Sequence, residues 1–175
     1  MSTLTIGPEH GTLTLRTGVE GRAAKAGHAL TVAMTQWSAT VDLAGEQPTA
    51  VTLRVPLTSF EVVAGEGGLK PLSDKDKRTI KDSALETLSA DRHPEIVFTS
   101  RSVTATADGY RLEGDLEVAG SAQPTVVDVT VAGGAASATV PVVQTAHGVK
   151  PYTGLMGGLR VRDRVDVVLS ATLPG

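Results

Sequence analysis

Apolar and polar residues alternate along most of this chain with a period of two, the pattern of β-strands that are buried on one face. The alternation is cleanest over residues 51–57, 110–118 and 127–131. Turn signals separate such stretches at short, regular spacing, which gives about eight or nine strands in all. The pattern predicts one all-β domain over residues 1–175, built as an antiparallel sheet.

One long stretch, residues 30–43, changes its apolar face along the way. Its apolar residues occupy even positions as far as Met34 and odd positions from Trp37 onward. A strand can switch faces only through a bulge or a sharp coil, and both are common where a sheet curls round. Because long, coiled strands suit a closed sheet, the pattern favours a β-barrel.

The clearest hairpin lies between residues 96–107 and 110–118. Asp108-Gly109 separates these two stretches and is the dipeptide that a type I′ turn prefers. We therefore predict that the two stretches pair directly through a two-residue turn.

A single segment has a helical period instead. Ile80, Ala84 and Leu88 recur at a spacing of four residues, which places them on one face of a helix. Ser73 is a natural N-cap, and Asp76 three residues later gives a weaker form of the capping box. The spacing predicts one amphipathic helix near residues 74–89, packed on the barrel through its apolar face.

Composition narrows the class of protein. A net charge of −3 and the absence of a basic footprint argue against nucleic acid as a partner. The chain has no Cys, which excludes disulfides and thiol chemistry. No stretch is long enough for a membrane span, and residues 1–8 do not resemble a secretory signal. The chain as given is expected to be cytoplasmic, although a processed periplasmic or secreted form with a new initiator Met would look the same.

Sequence motifs for catalysis are nearly absent. The four histidines are not at metal-ligand spacing, and neither a nucleophile elbow nor a phosphate-binding loop is present. We predict no catalytic residue and no metal site. Two Gly-rich segments, 65–68 and 148–158, are either flexible connections or mobile loops at a barrel mouth.

The apolar faces hold mostly Val, Leu and Ala, and the chain has only five aromatic residues. Small wall residues would leave room for a ligand inside a barrel, whereas dense Val and Leu packing could fill the same space. The candidate ligand-binding residues lie on the predicted inner face and on the Gly-rich loops: Trp37, Ala39, Val41, Phe60, Phe98, Tyr110, Tyr152, Leu155 and Met156.

Several motifs in a fixed order resemble the YceI-like family, and in particular its signal-less actinobacterial-type members. They are the strand start at 27–30, the helix entry at 72–78, the run at 93–100, the segment 112–116, and the Gly-rich loop into 161–165. The strongest marker is Pro-x-Ile-x-Phe-x-Ser after the helix. The likeness covers nearly the whole chain.

The resemblance implies a lipocalin-like antiparallel barrel. Its apolar tunnel would bind a long polyisoprenoid or other amphipathic lipid, in some members a quinone, often as a homodimer. Two features differ from the better-known members, which are exported and carry more aromatics. This chain shows no signal, and residues 84–88 are aliphatic.

We therefore predict a binding or carrier protein for an isoprenoid-type lipid, without an enzymatic reaction and with no cofactor apart from a bound lipid or quinone. Two alternatives remain open at this point. One is an enzyme of small-molecule metabolism with His28 or His147 at the mouth of the same cavity. The other is a stress-response module with a packed, ligand-free barrel.

Overall fold

The computed structural model of the protein describes residues 1–174, without the side chain of Leu155. It is antiparallel β-structure with a single α-helix, as predicted. The elements are β1 Ser2–Ile6, β2 Gly11–Arg16, β3 Val19–Glu20, β4 His28–Met34, β5 Ser38–Ala44, β6 Gln47–Pro56, β7 Phe60–Gly67, α1 Asp74–Thr87, β8 Glu95–Ala105, β9 Gly109–Val118, β10 Ser121–Ala132, β11 Ala135–Val143, β12 Thr153–Gly154, β13 Leu159–Val161 and β14 Arg164–Thr172.

Eleven strands pair in the order β1-β5-β6-β8-β9-β10-β11-β14-β2-β4-β7. The antiparallel pairing gives β1 and β2 the same direction, and likewise β4 and β5, and β6 and β7. Each of these pairs is joined by a short connection, so each is one long, kinked strand. The three kinked strands lie side by side, and the pairs β6–β8 and β14–β2 join them to the other five. The result is a closed, eight-stranded, lipocalin-like barrel.

The kinks at 35–37 and 57–59 explain the change of face in the sequence. The Thr35 N–H and hydroxyl both donate to the Ser59 carbonyl, at 3.0 and 2.9 Å. The Ser59 hydroxyl in turn lies 3.1 Å from the carbonyl oxygen of Gln36. The sequence allowed either a bulge or a sharp coil for the change of face in residues 30–43. At 35–37 the structure has the sharp coil, and its hydrogen bonds to the kink at 57–59 hold it in place.

The predicted hairpin is present, but its turn is not the one expected. β8 and β9 pair up to Ala105 and Tyr110, and the Thr106 N–H donates to the Gly109 carbonyl at 2.9 Å. The turn is therefore centred on Ala107 and Asp108, and Gly109 already belongs to β9 without a positive φ. The type I′ prediction is wrong here. Gly109 is required for a different reason, because a Cβ atom there would collide with the Val129 carbonyl of β10.

Helix α1 begins as predicted and ends two residues earlier. The Asp76 N–H donates to the Ser73 hydroxyl at 3.1 Å, and the Ser73 N–H donates to the Asp76 carboxylate at 3.0 Å. Ser89 just beyond the helix has a φ of 53°, which ends the helical path before Pro94. Among the helices that the structure describes, none is both long and apolar enough to cross a lipid bilayer.

The apolar face of α1 covers one end of the barrel. Ile80 and Ala84 pack against the core cluster around Phe60, whereas Leu88 packs against the second cluster around Phe98. We name this end the helix end; it also carries the small antiparallel sheet β12-β13-β3. The opposite end, where β5–β6, β8–β9 and β10–β11 turn, is named the turn end.

The capping box gives the first prediction. Ser73→Ala should lower the free energy of unfolding by about 1 kcal/mol, because it removes the acceptor for the Asp76 N–H. The N–H and hydroxyl hydrogen bonds of Ser73 also hold the pKa of Asp76 below its ordinary value. The contribution of the Asp76 carboxylate to stability is therefore fully present above the ordinary carboxyl pKa and is lost as the pH falls through the lower folded-state pKa.

Urea unfolding at neutral and acid pH tests this prediction. Asp76→Asn should reduce the acid dependence, while Asp82→Asn, which changes an exposed carboxylate in the same helix outside the cap, should leave it unchanged. If the free energy of unfolding depended on pH in the same way in all three variants and the parent protein, the role of the capping box would be contradicted.

Candidate ligand-binding cavity

The barrel encloses a cavity of about 820 Å³. Its wall extends from Glu46 and Leu173 at the turn end to Thr79 and Tyr152 at the helix end, so the space follows the barrel axis. Pockets for a single small ligand typically measure roughly 300–1,000 Å³. The cavity is thus large enough for a long ligand.

The cavity exists because inward positions hold small aliphatic side chains. On β10 the inward residues Val127, Val129 and Val131 are only half-buried, although they point away from bulk solvent. Ala136 and Ala138 on the neighbouring strand β11 add little volume to the same wall. Side chains of this size do not reach the barrel axis, and the interior stays open.

Neutral polar groups of the wall concentrate at the helix end. Thr79, Ser83 and Thr87 follow one another at a spacing of four residues on α1, beside its apolar stripe, and all three line the cavity. Among the described wall residues, Glu46 at the turn end is the only Asp, Glu, Lys or Arg. The wall therefore offers hydroxyl groups to a ligand but no cation that could neutralise an anionic one.

The two histidines considered for catalysis are both engaged with the backbone. A ring nitrogen of His28 lies 2.6 Å from the Lys70 carbonyl, and one of His147 lies 2.9 Å from the Ser121 carbonyl. Since a carbonyl only accepts, each of these nitrogens is a donor. His28 lines the cavity, whereas His147 is buried and is not among the wall residues. The described residues contain no group of three or more potential metal ligands.

The structure places six of the nine candidate residues in the cavity wall: Ala39, Val41, Phe60, Phe98, Tyr110 and Tyr152. Trp37 is only 4 % exposed and is not part of the wall. It lies in the kink between β4 and β5, where it packs in the same core cluster as Met34 and Phe60. Met156 is fully exposed outside the cavity, and the side chain of Leu155 lies outside the described structure.

Sequence reasoning missed the hydroxyl row of α1 and most of the wall. The row was detectable in principle, because Thr79, Ser83 and Thr87 repeat at a helical spacing next to Ile80, Ala84 and Leu88. The inward valines of β10 were visible as an alternation. Their contact with an open space depends on the closure of the barrel, which no local pattern specifies.

The fold agrees with comparisons to known proteins. A model of the YceI-like domain matches residues 4–173. The chain belongs to the YceI-like family. None of the curated proteins matches the sequence.

Three solved structures are similar to this YceI-like chain in fold. BcnA of Burkholderia cenocepacia is 18 % identical, with a TM-score of 0.59 over 90 % of this chain and 94 % of that protein. The YceI protein of Campylobacter jejuni is 12 % identical, with a TM-score of 0.58 over 82 % and 85 %. A mutant CJ YceI protein with a monobromobimane guest is 12 % identical, with a TM-score of 0.61 over 80 % and 81 %. At these identities the likeness concerns the fold alone.

The motif that carried the resemblance has a structural role in this YceI-like barrel. The Pro94 carbonyl accepts a 2.8 Å hydrogen bond from the Leu57 N–H, and this bond ties the start of β8 to the kink at 57–59. Phe98 is buried and points into the cavity, and the Ser100 hydroxyl accepts a 2.8 Å hydrogen bond from the Val51 N–H. The motif thus joins β8 both to β6 and to the kink at 57–59.

Proposed function

We propose that this YceI-like protein binds one uncharged amphipathic lipid, of the polyisoprenoid or isoprenoid-quinone type, in the barrel cavity. The observation that carries the proposal is a long apolar cavity of about 820 Å³, in which Glu46 is the only Asp, Glu, Lys or Arg among the described wall residues. Each buried CH₂ group contributes roughly 0.8 kcal/mol, so a long tail can bind without any catalytic polar group. The proposed role is that of a carrier rather than an enzyme.

The absence of cations in the described wall supports an uncharged ligand. A phosphate or carboxylate placed there would lose its hydration without gaining an ion pair, which is costly in an apolar site. A hydroxyl or a quinone carbonyl needs only a neutral hydrogen-bonding partner. The wall supplies such partners in Thr79, Ser83 and Thr87.

The distribution of these groups supports one orientation of the ligand. The head group would lie at the helix end beside the hydroxyl row of α1, and the tail would extend between the inward valines of β10 and the Leu53 side of β6. A packed, ligand-free module fits less well, because a cavity of this size leaves apolar side chains without packing partners.

Native mass spectrometry and fluorescence test the proposal. The parent protein should form a one-to-one complex with a polyprenol or an isoprenoid quinone, and an organic extract of gently purified protein should contain a lipid of this class. The quinone should also quench Trp37, which packs in the same cluster as the wall residues Ala39 and Phe60.

Polyprenyl phosphate, a fatty acid and a short polar metabolite serve as matched competitors. They should bind at least about tenfold more weakly than the polyprenol, because the described wall residues include no Lys or Arg for the anions and the metabolite buries little apolar surface. A protein that takes up no apolar ligand, or that prefers the phosphate, would overturn the proposal.

A further inference from the structure

Three large apolar side chains are exposed to water at the helix end. Leu69 is 79 % exposed, Tyr152 is 49 % exposed and Met156 is fully exposed. They lie on two loops that border the cavity. Tyr152 is itself a wall residue, and the carbonyl of Lys70, next to Leu69, is held by the ring of the wall residue His28. We name Leu69, Tyr152 and Met156 the apolar rim.

Met156 combines a left-handed backbone with a side chain that is fully in water. Its φ of 57° and ψ of 36° are left-handed values that favour Gly or Asn, yet the position holds a long apolar residue. The end of this loop is tied to the connection between β3 and β4, since the Ala23 N–H donates to the Gly158 carbonyl at 2.7 Å. Intramolecular packing therefore leaves the rim uncovered.

The charge around the apolar rim is opposite in sign to that of the whole chain. Residues 21–27, 66–78 and 148–158 contain seven Lys or Arg and only three Asp or Glu, although the chain has a net charge of −3. Lys70 follows Leu69 in sequence, Lys150 precedes Tyr152 by two residues, and both lysines are exposed. Neither forms an ion pair in the part of the chain that the structure describes.

We propose that the apolar rim docks on an anionic lipid bilayer. Leu69, Tyr152 and Met156 would enter the interface between head groups and acyl chains, while Lys70, Lys150 and the neighbouring cations contact the head groups. This inference rests on the proposed function, because docking at this end would bring the cavity to the bilayer. A lipid tail could then pass between the two without crossing water.

Flotation of the full-length protein with vesicles tests the docking. The protein should float with vesicles of phosphatidylcholine mixed with phosphatidylglycerol, and less with phosphatidylcholine alone. High salt should remove the difference between the two, because it screens the head-group charge.

Two rim variants separate the apolar and the cationic contributions. Leu69→Ser combined with Met156→Asn should lower the bound fraction on both vesicle types by roughly tenfold, and Asn suits the left-handed backbone. Lys70→Gln combined with Lys150→Gln should reduce only the preference for anionic vesicles and leave binding to phosphatidylcholine unchanged. Val126→Gln is the matched control, because Val126 is 51 % exposed on the outer wall at β10, away from the rim, and it should bind as the parent protein does.

Circular dichroism and thermal unfolding establish that the variants are folded, and Leu69→Ser alone provides a milder test. The docking is overturned if the parent protein does not float, or if the folded rim variants float equally well. It is also overturned if the rim variants instead dissociate a dimer of the parent protein in solution, since the rim would then be covered by a second copy.

Loading from a soluble source distinguishes this proposal from the proposed function. Polyprenol delivered from cyclodextrin should form the one-to-one complex in the parent protein and in the Leu69→Ser, Met156→Asn variant alike. Loading without flotation overturns the docking alone. Flotation without loading of any apolar ligand overturns the carrier function while the docking to bilayers stands.

Discussion

Replacing Val127 by Trp should lower the affinity for a polyprenol or quinone by two orders of magnitude or more, while the barrel stays folded. Val127 is half-buried on β10, pairs with Leu112 across the sheet, and points into the open part of the cavity. An indole there would take the place of about four CH₂ groups of a ligand tail. At roughly 0.8 kcal/mol each, their loss corresponds to a factor of about 200 in affinity.

The cost in stability should be small, because the new side chain extends into empty space. Ala39→Trp is a poorer choice for this reason. Ala39 is buried in the same core cluster as Met34 and Phe60, so a large side chain there would overpack that cluster at a cost of about 1–3 kcal/mol.

Val126→Trp is the matched control for Val127→Trp. The two residues are neighbours on β10, but Val126 points outward, so its replacement should leave ligand affinity unchanged. Isothermal titration or native mass spectrometry measures the affinities, and thermal unfolding measures stability. Unchanged binding in Val127→Trp would contradict binding of the ligand in this cavity.

Replacing Leu57 by Ala should have the largest effect on stability, a loss of about 2–5 kcal/mol in the free energy of unfolding. Leu57 is 1 % exposed and lies in the kink between β6 and β7, outside the cavity wall. Because no open space adjoins it, truncation creates a new void that the surrounding chain cannot easily fill. Its backbone also holds the start of β8 through the Pro94 carbonyl.

For a domain of this size such a loss corresponds to a decrease in Tm of roughly 4–20 °C. Leu69→Ala is the matched control, since the same truncation at a residue that is 79 % exposed should change stability by about 0.5 kcal/mol or less. The comparison uses ligand-free protein, because a bound lipid would stabilise both variants. A small effect of Leu57→Ala would contradict the role of the kinks in holding the barrel together.

Features that depend on neighbours along the chain could be predicted from the sequence. The cap at Ser73 and Asp76 acts over three residues, and the alternation in 110–118 reflects which face of one strand is buried. The face change after Met34 was likewise readable, because the period of two shifts at that point. Together with the Pro94–Ser100 motif, these local signals were enough to indicate a YceI-like antiparallel barrel with one helix.

Features that depend on contacts between distant segments could not be predicted from the sequence. Gly109 looked like a turn residue, but its lack of a side chain is required by the approach of Val129 from β10. Trp37 looked like a wall residue, but the kink that carries it is held by Ser59 and turns it into the core.

The sequence by itself determined the helix, most of the longer strands with their amphipathic faces, and the family, because each of these is encoded in short-range spacing; β1 and β7 were not predicted. Only the tertiary structure decided that the barrel is hollow. A Val on an inward face is compatible with a packed core or with a cavity, and the difference depends on the radius at which eight strands close. The same closure brings the hydroxyl row of α1 and the apolar rim to one end of the cavity, where Thr79 and Tyr152 both line the wall.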